Sequence, residues 1–248
     1  MSKGSLLITN CVISNNIGTP GGIDAGGYYN AGLTALGCRI VNNTGGGGGG
    51  AYAWSKSVLD HCIIQGNSNG AGIYLKVGSG GSIIRNCLIA DNKSRGIYIE
   101  AGATNQITAC TIAGNYAYTS GGGVYLAGDG SDTFTNCMIA SNSLNASAVD
   151  NNIYMTTAAR TNSFYYSCSE LLANTVQGNI TAGPLFKNAA SSDWRLQNGS
   201  PGMDVGINEG WMVTDTDLDG RARINYFRRQ VDMGCYEYLP SGTMFSFH

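Results

Sequence analysis

Proline is scarce in this chain, and so is charge: 4 of 248 residues are Pro, and Asp, Glu, Lys and Arg together make up 12%. So little proline argues against a disordered low-complexity chain, even though 37 residues are Gly, roughly twice the average usage of about 7%. The charged fraction is about half the usual share, so Asn, Ser, Thr and Gly must satisfy much of the surface. The formal net charge is −2 and the 14 basic residues form no cluster, which leaves no electrostatic footprint for a nucleic-acid partner. No apolar run approaches the ~18 residues of a membrane span. The opening Met1-Ser2-Lys3-Gly4-Ser5-Leu6-Leu7-Ile8 holds too short an apolar run for a secretory signal peptide. An exported protein would therefore stand here as a mature form or an excised piece. Amphipathic helical periodicity is missing throughout.

What is present is a repeat. Six times a Cys is followed by Ile two residues on and Asn five residues on: Cys11-Ile13-Asn16, Cys38-Ile40-Asn43, Cys62-Ile64-Asn67, Cys87-Ile89-Asn92, Cys110-Ile112-Asn115 and Cys137-Ile139-Asn142. The motif returns every 23 to 27 residues, a period that marks a solenoid built from stacked supersecondary units. Cys, Ile and Asn keep their spacing while the lengths between repeats vary. That is expected when the motif is strand and turn and the variable part is surface loop.

Three residues before each Cys stand Ile8, Ala35, Leu59, Ile84, Ile107 and Phe134. With the Cys and the Ile they form inward columns at strand spacing. The residue just before Cys (Asn10, Gly37, His61, Asn86, Ala109, Asn136) is small or polar and marks a bend between two short strands. The Asn closes the second strand, and stacked Asn side chains can hydrogen-bond from coil to coil. A further strand follows a variable loop, as Gly50-Ala51-Tyr52-Ala53, Gly72-Ile73-Tyr74-Leu75, Gly96-Ile97-Tyr98-Ile99, Gly123-Val124-Tyr125-Leu126 and Asn152-Ile153-Tyr154-Met155. Its apolar residues point inward and its Tyr outward.

These features predict an all-β fold, a right-handed parallel β-helix solenoid of about six to seven coils with a C-terminal capping segment. The repeats occupy residues 1–165 and the cap 166–248. Equivalent cysteines would stack about 4.8 Å apart with parallel Cβ vectors, whereas a disulfide needs Cβ atoms about 3.8 Å apart and facing each other. Cys11 to Cys137 are therefore expected as free, buried thiols, and without a C-x-x-C or Cys/His pair the column is no metal site. Over about residues 5–160 the pattern resembles the right-handed β-helix proteins of the pectate-lyase-like class. That resemblance implies a fold and says little of an activity.

After about residue 165 the rhythm stops. Gly183-Pro184-Leu185-Phe186, Asp193-Trp194-Arg195-Leu196, Ser200-Pro201-Gly202-Met203-Asp204-Val205-Gly206, Asp217-Leu218-Asp219-Gly220 and Asp232-Met233-Gly234-Cys235-Tyr236-Glu237 follow one another. This order resembles the choice-of-anchor Q module that ends many bacterial surface β-helix proteins, departing from it at Gly202-Met203, where Ala-Ile is usual. The resemblance implies an exported, surface-attached bacterial protein and does not imply an enzyme; no sorting motif follows Tyr238. Trp194, Trp211, Phe186 and Tyr236 supply apolar bulk for capping the open coil. At the amino end Leu6-Leu7-Ile8 enters a strand almost at once, so further residues or another body would have to cover that edge.

The candidate sites each carry a bland alternative. Asp215, Asp217 and Asp219 before Gly220 open like an oxygen-rich calcium loop, so calcium is the one cofactor the pattern suggests. Position 12 is Tyr226 rather than Glu, and the aspartates could instead pair with Arg221, Arg223, Arg228 or Arg229. Tyr52, Tyr74, Tyr98, Tyr125 and Tyr154 could form a glycan platform, or simply stack on each other. Lys76 and Glu100 fit a cross-coil salt bridge. Asp60 and Arg85 should be neighbours, Asp91, Lys93 and Arg95 share one turn, and Asp60 and Asp91 do not form the carboxylate pair of a glycosidase. His61 is expected as a hydrogen-bonded residue of the bend. The residues one after each Cys (Val12, Arg39, Ile63, Leu88, Thr111, Met138) form an outward, largely apolar row that needs a cover, either the C-terminal segment or another protomer.

The leading expectation is an exported, extracellular or cell-surface bacterial β-helix, non-enzymatic, binding a polysaccharide or displaying a partner-binding surface. The alternatives are a polysaccharide lyase or glycoside hydrolase of the pectate-lyase-like class, and a structural spacer or adhesin stalk.

Overall fold

The computed structural model describes residues 5–25, 32–54, 56–78, 80–145, 147–157, 163–172, 176–224 and 229–240. The chain winds through three parallel sheets. The first has seven strands, from Leu6–Thr9 to Phe164–Tyr165; the second has six, from Val12–Ser14 to Met138–Ala140; the third has six, from Ile23–Asp24 to Ile153–Met155. Six stacked strands are five turns apart, slightly fewer than the coil number expected. The register aligns the repeat as the spacing requires: Ile40, Ile64, Ile89, Ile112 and Ile139 pair in sequence along the second sheet. All five are fully buried.

Each coil is bent at left-handed residues. Asn10, Gly37, His61, Asn86, Ala109 and Asn136 have φ between 51° and 61°, so the small or polar residue before each Cys makes the corner between the first and second sheets. Asn tolerates this conformation best among residues with a Cβ. A second left-handed row, Asn15, Asn42, Gly66, Asp91, Gly114 and Ser141, turns the chain out of the second sheet and is not evident from the repeat alone.

Inside that second corner runs a column of buried carboxamides. The Asn67 backbone N–H and side-chain Nδ2 both donate to Asn92 Oδ1 at 3.0 Å. Nδ2 also donates to the Ile40 carbonyl at 2.9 Å. The same set recurs at Asn92, Asn115 and Asn142. The column ends where Asn152 Nδ2 donates to Glu170 Oε2 at 2.7 Å. A shorter polar column, Ser57, Ser82, Asn105 and Asp132, links neighbouring coils elsewhere.

All eight cysteines are free, and Cys38 to Cys137 are buried. Cys11 is exposed, which corrects the expectation of a wholly buried column: it lies on the first described coil and is packed from one side only.

The C-terminal part covers two surfaces. Phe164 stacks on Phe134 at 4.7 Å, and Leu172 joins the core at the last coil. Beyond it the chain runs back over the outer face of the second sheet. There Trp194, Cys235 and Tyr236 pack on Leu88, Ala90 and Ala113, and Met233 and Leu196 pack around Met138. The outward apolar row is thus covered at Leu88, Thr111 and Met138 but open at Val12, which is 66% exposed.

Two substitutions test this arrangement. Ile89→Asp places a carboxylate in a dry stack and should cost several kcal/mol, whereas Ile83→Asp, on the open face of the first sheet, should melt close to wild type. Thermal and urea unfolding compare them directly; equal melting would reverse the assigned faces. Trp194→Ala should cost about 3 to 5 kcal/mol, as expected for removing a buried indole. Its proteolysis should begin in residues 183–240.

Candidate functional site

The row of left-handed corners between the first and second sheets has a covered part and an open part. At Asn136 the C-terminal segment is clamped by two bonds, Asn136 Nδ2 to the Ile207 carbonyl at 2.8 Å and the Ile207 N–H to Asn136 Oδ1 at 2.7 Å. At Ala109 it packs Met212 and Val231 onto the row. At Asn86 and His61 it delivers the Thr216 carbonyl, which accepts from both side chains. Beyond His61 none of the described residues covers the row. A groove of about 530 Å³ opens there, lined by Thr9, Asn10, Leu36, Gly37, Asp60, His61, Arg85 and Asp215.

The charged groups in this groove hold one another. His61 Nδ1 lies 2.8 Å from Asp60 Oδ1, and Nε2 lies 2.8 Å from the Thr216 carbonyl and 3.3 Å from Asp215 Oδ1. Nε2 also lies 2.7 Å from the Asn86 Nδ2 amide, a donor, while the Asp60, Thr216 and Asp215 oxygens around the ring favour imidazolium. The hydrogen bond to Asp60 raises the His61 pKa, aided by Thr216 and Asp215 and opposed by burial. Arg85 places Nε and Nη2 at 2.8 and 2.6 Å from Asp60 Oδ2, with its guanidinium 5.0 Å from the Trp211 ring centroid. Burial alone pushes Asp60 up, but the bonds from His61 and Arg85 outweigh it and hold the carboxyl below its usual range. The expected contact of Asp60 with Arg85 is present, and His61 sits hydrogen-bonded in the bend. The carboxylate that joins them, Asp215, comes from 154 residues along the chain and carries no local sequence signal.

The five tyrosines do form a ladder along the third sheet, with centroids 4.9, 4.6, 5.0 and 5.2 Å apart from Tyr52 to Tyr154. Tyr74 donates its hydroxyl to Glu100 at 2.8 Å, and Lys76 pairs with the same Glu100 oxygen at 2.9 Å. The rings of Tyr74, Tyr98 and Tyr125 each have neighbours on both faces. A sugar stacks on an open ring face, and the mutual stacking leaves the interior rings presenting their rims. Tyr154, 40% exposed at the end of the ladder, has one ring neighbour among the described residues.

Asp215, Asp217 and Asp219 do not converge. Asp217 is buried, its Oδ1 accepting from the Asp219 and Arg221 N–H groups at 2.9 and 2.8 Å and its Oδ2 from the Glu237 N–H at 2.7 Å. Asp219 pairs with Arg195 at 2.8 Å and Arg221 at 3.2 Å, while Asp215 faces His61. Among the described residues no group of three His, Cys, Asp or Glu side chains is placed to hold a metal. The ion pairs of Asp219 with Arg195 and Arg221 support the pairing reading of these aspartates. Tyr226 and Arg228 lie outside the described residues. Around Asp217 the C-terminal motif closes into one buried knot. Arg223 pairs with Glu237 at 3.3 Å and donates to the Gly234 and Asp232 carbonyls. Burial pushes Glu237 up to about 9 and Asp232 to about 6, with Arg223 opposing both shifts.

The family model described as right-handed β-helix region matches residues 2–139, more than half of the chain. The chain belongs to the right-handed β-helix family. No curated protein and no solved structure matches it. Within this β-helix the matched coils supply Thr9, Leu36, Asp60, His61 and Arg85, while Asp215 reaches the groove from outside the matched span. No helix among the described residues is long and apolar enough to cross a membrane.

The raised His61 pKa has a defined consequence for stability. The folded state binds this proton more tightly than the unfolded chain. Its contribution is complete below the ordinary value of about 6.5 and fades as pH climbs through the raised folded value. The stability difference between wild type and His61→Gln should therefore shrink above pH ~6.5. Paired urea titrations across pH 5 to 9 measure it; a difference that grows with pH would contradict the clamp.

Proposed function

We propose that this β-helix is a non-enzymatic, exported bacterial surface protein that binds glycan in the groove beside His61. The observation that carries the reading is the state of the groove's own groups. Both nitrogens of His61 are engaged, and Asp60 is held ionised by His61 and Arg85. A general acid or base must exchange its proton with a substrate, and here His61 and Asp60 already hold hydrogen-bond partners within the protein. Fixed donors and acceptors beside apolar Leu36 are instead what recognition of a polyhydroxylated ligand requires. Surface location is supported by the low charge and the Asn-, Ser-, Thr- and Gly-rich composition. The likeness of residues 183–239 to the choice-of-anchor Q module supports it as well.

A second reading rests on Asp60 and Asp215, two carboxylates on either side of His61 in one groove, as a hydrolase or lyase of the pectate-lyase-like class would need. The committed hydrogen bonds make it the weaker one. The protein should be retained on at least one immobilised neutral polysaccharide from a panel and release neither reducing ends nor unsaturated products. The double variant Arg85→Gln/Asp215→Asn should lose at least tenfold in retention while staying folded by circular dichroism. New reducing ends would overturn the non-enzymatic reading, and unchanged retention by the double variant would remove the groove.

A further inference from the structure

Arg95 stands at the opposite corner of the coil, between the second and third sheets, and shares no residue with the groove. Its guanidinium lies 4.7 Å from the Tyr125 ring centroid and 5.7 Å from that of Tyr98. Nε donates to the Ser120 carbonyl and Nη2 to Thr119 Oγ1, each at 3.1 Å. Arg85, Arg195, Arg221 and Arg223 all have a carboxylate within ion-pair distance. Arg95 has none among the described residues, and the two bonds above use only part of its five donors. Here a cation is fixed in place and partly desolvated without a counter-charge among the described residues.

The loop that Arg95 grips carries an exposed aromatic. Tyr118 precedes Thr119 and is 60% exposed; it meets Tyr116 in a T-shaped pair at 5.6 Å and 81°, with the two hydroxyls 3.4 Å apart. A T-shaped contact uses at most one face of a ring, so Tyr118, unlike the interior rings of the ladder, keeps a face open to solvent.

We propose that Arg95 and Tyr118, with Tyr116 behind them, form a second glycan site that takes a negatively charged pyranose, its carboxylate or sulfate on the guanidinium and its ring on Tyr118. This rests on the glycan-binding reading above but on a different face of the coil. The contacts with the Tyr98 and Tyr125 rings and the bonds to residues 119 and 120 pre-orient the guanidinium, which lowers the ordering cost of binding. Arg offers a planar fork that matches carboxylate and sulfate. An open tyrosine face supplies the apolar contact.

The test is binding of the full chain to a polyuronate, a sulfated glucan and a neutral glucan, measured by calorimetry at low salt. One or both acidic polymers should bind at least tenfold more tightly than the neutral one, with the preference falling as salt rises; which acidic polymer is favoured identifies the anion. Arg95→Gln and Tyr118→Ala should each remove at least tenfold of the acidic binding. Tyr118→Phe should keep it, as should the groove variant Arg85→Gln/Asp215→Asn. Tyr118 is exposed, so Tyr118→Ala stays informative even if Arg95→Gln loosens the tyrosine ladder. Equal binding of acidic and neutral polymers, or wild-type acidic binding by Tyr118→Ala, would overturn the site. Loss of acidic binding in the groove variant alone would assign it to the groove instead.

Discussion

Each coil from Asn43 to Asn142 hangs on one buried carboxamide of a single column. An Asn side chain has two N–H donors and an oxygen with two lone pairs, and in the stack all are used. Nδ2 donates to the next Asn in the column and to a carbonyl on the coil before, while Oδ1 accepts a backbone N–H and a side-chain N–H. Asn43, Asn67, Asn92, Asn115 and Asn142 are completely buried, where an unpaired amide would carry a large desolvation cost. The column therefore works as a register lock: a coil slipped by one residue would leave several polar groups dry and unpaired at once. Loop length, by contrast, is unconstrained by these bonds, which is why the repeats keep their Cys-to-Asn spacing while the distances between them vary.

The corners fixed by this lock decide where the C-terminal segment can lie and hence where a groove remains. Corner residues with φ near 50° turn their side chains outward in a row. Asn136, Asn86 and His61 use that row to bind backbone groups of residues 207–216. Their partners, the half-covered second sheet and the buried knot of Asp217, Arg223, Asp232 and Glu237, hold the segment against the coil. Among the described residues the cover ends at His61, and the first two coils keep their corner open. The same polar residues that anchor the segment form the wall of the groove, which links its shape to the docking of the cover.

Much of the fold was legible because it is periodic. Inward Cys and Ile, the polar corner before each Cys, the stacked Asn and the outward Tyr all follow from alternation and a fixed spacing. The Lys76–Glu100 and Asp60–Arg85 contacts were legible for the same reason, since residues at equal offsets from the repeat must be neighbours. The groove was not. It is closed by Asp215 and Thr216, and nothing in a local pattern tells which outer row an aperiodic segment will cross. The aspartate motif was legible as a motif but not in its role, because alternate carboxylates suit a cation as well as a tight turn. Asp217 accepts three backbone N–H groups, which is the part it plays in the turn. For the tyrosines, spacing placed the rings correctly. Ring orientation, which determines whether a face is open, is a side-chain property that spacing does not carry.

The central claim is that the Asn column is dry and fully hydrogen-bonded. Hydrogen exchange of the side-chain Nδ2 protons of Asn67, Asn92 and Asn115, followed by nuclear magnetic resonance, tests it most directly. Those protons should exchange as slowly as the backbone amides of Ile64, Ile89 and Ile112, through the same opening reaction. Side-chain exchange at the rate of a solvent-exposed carboxamide, with the backbone still protected, would contradict the account.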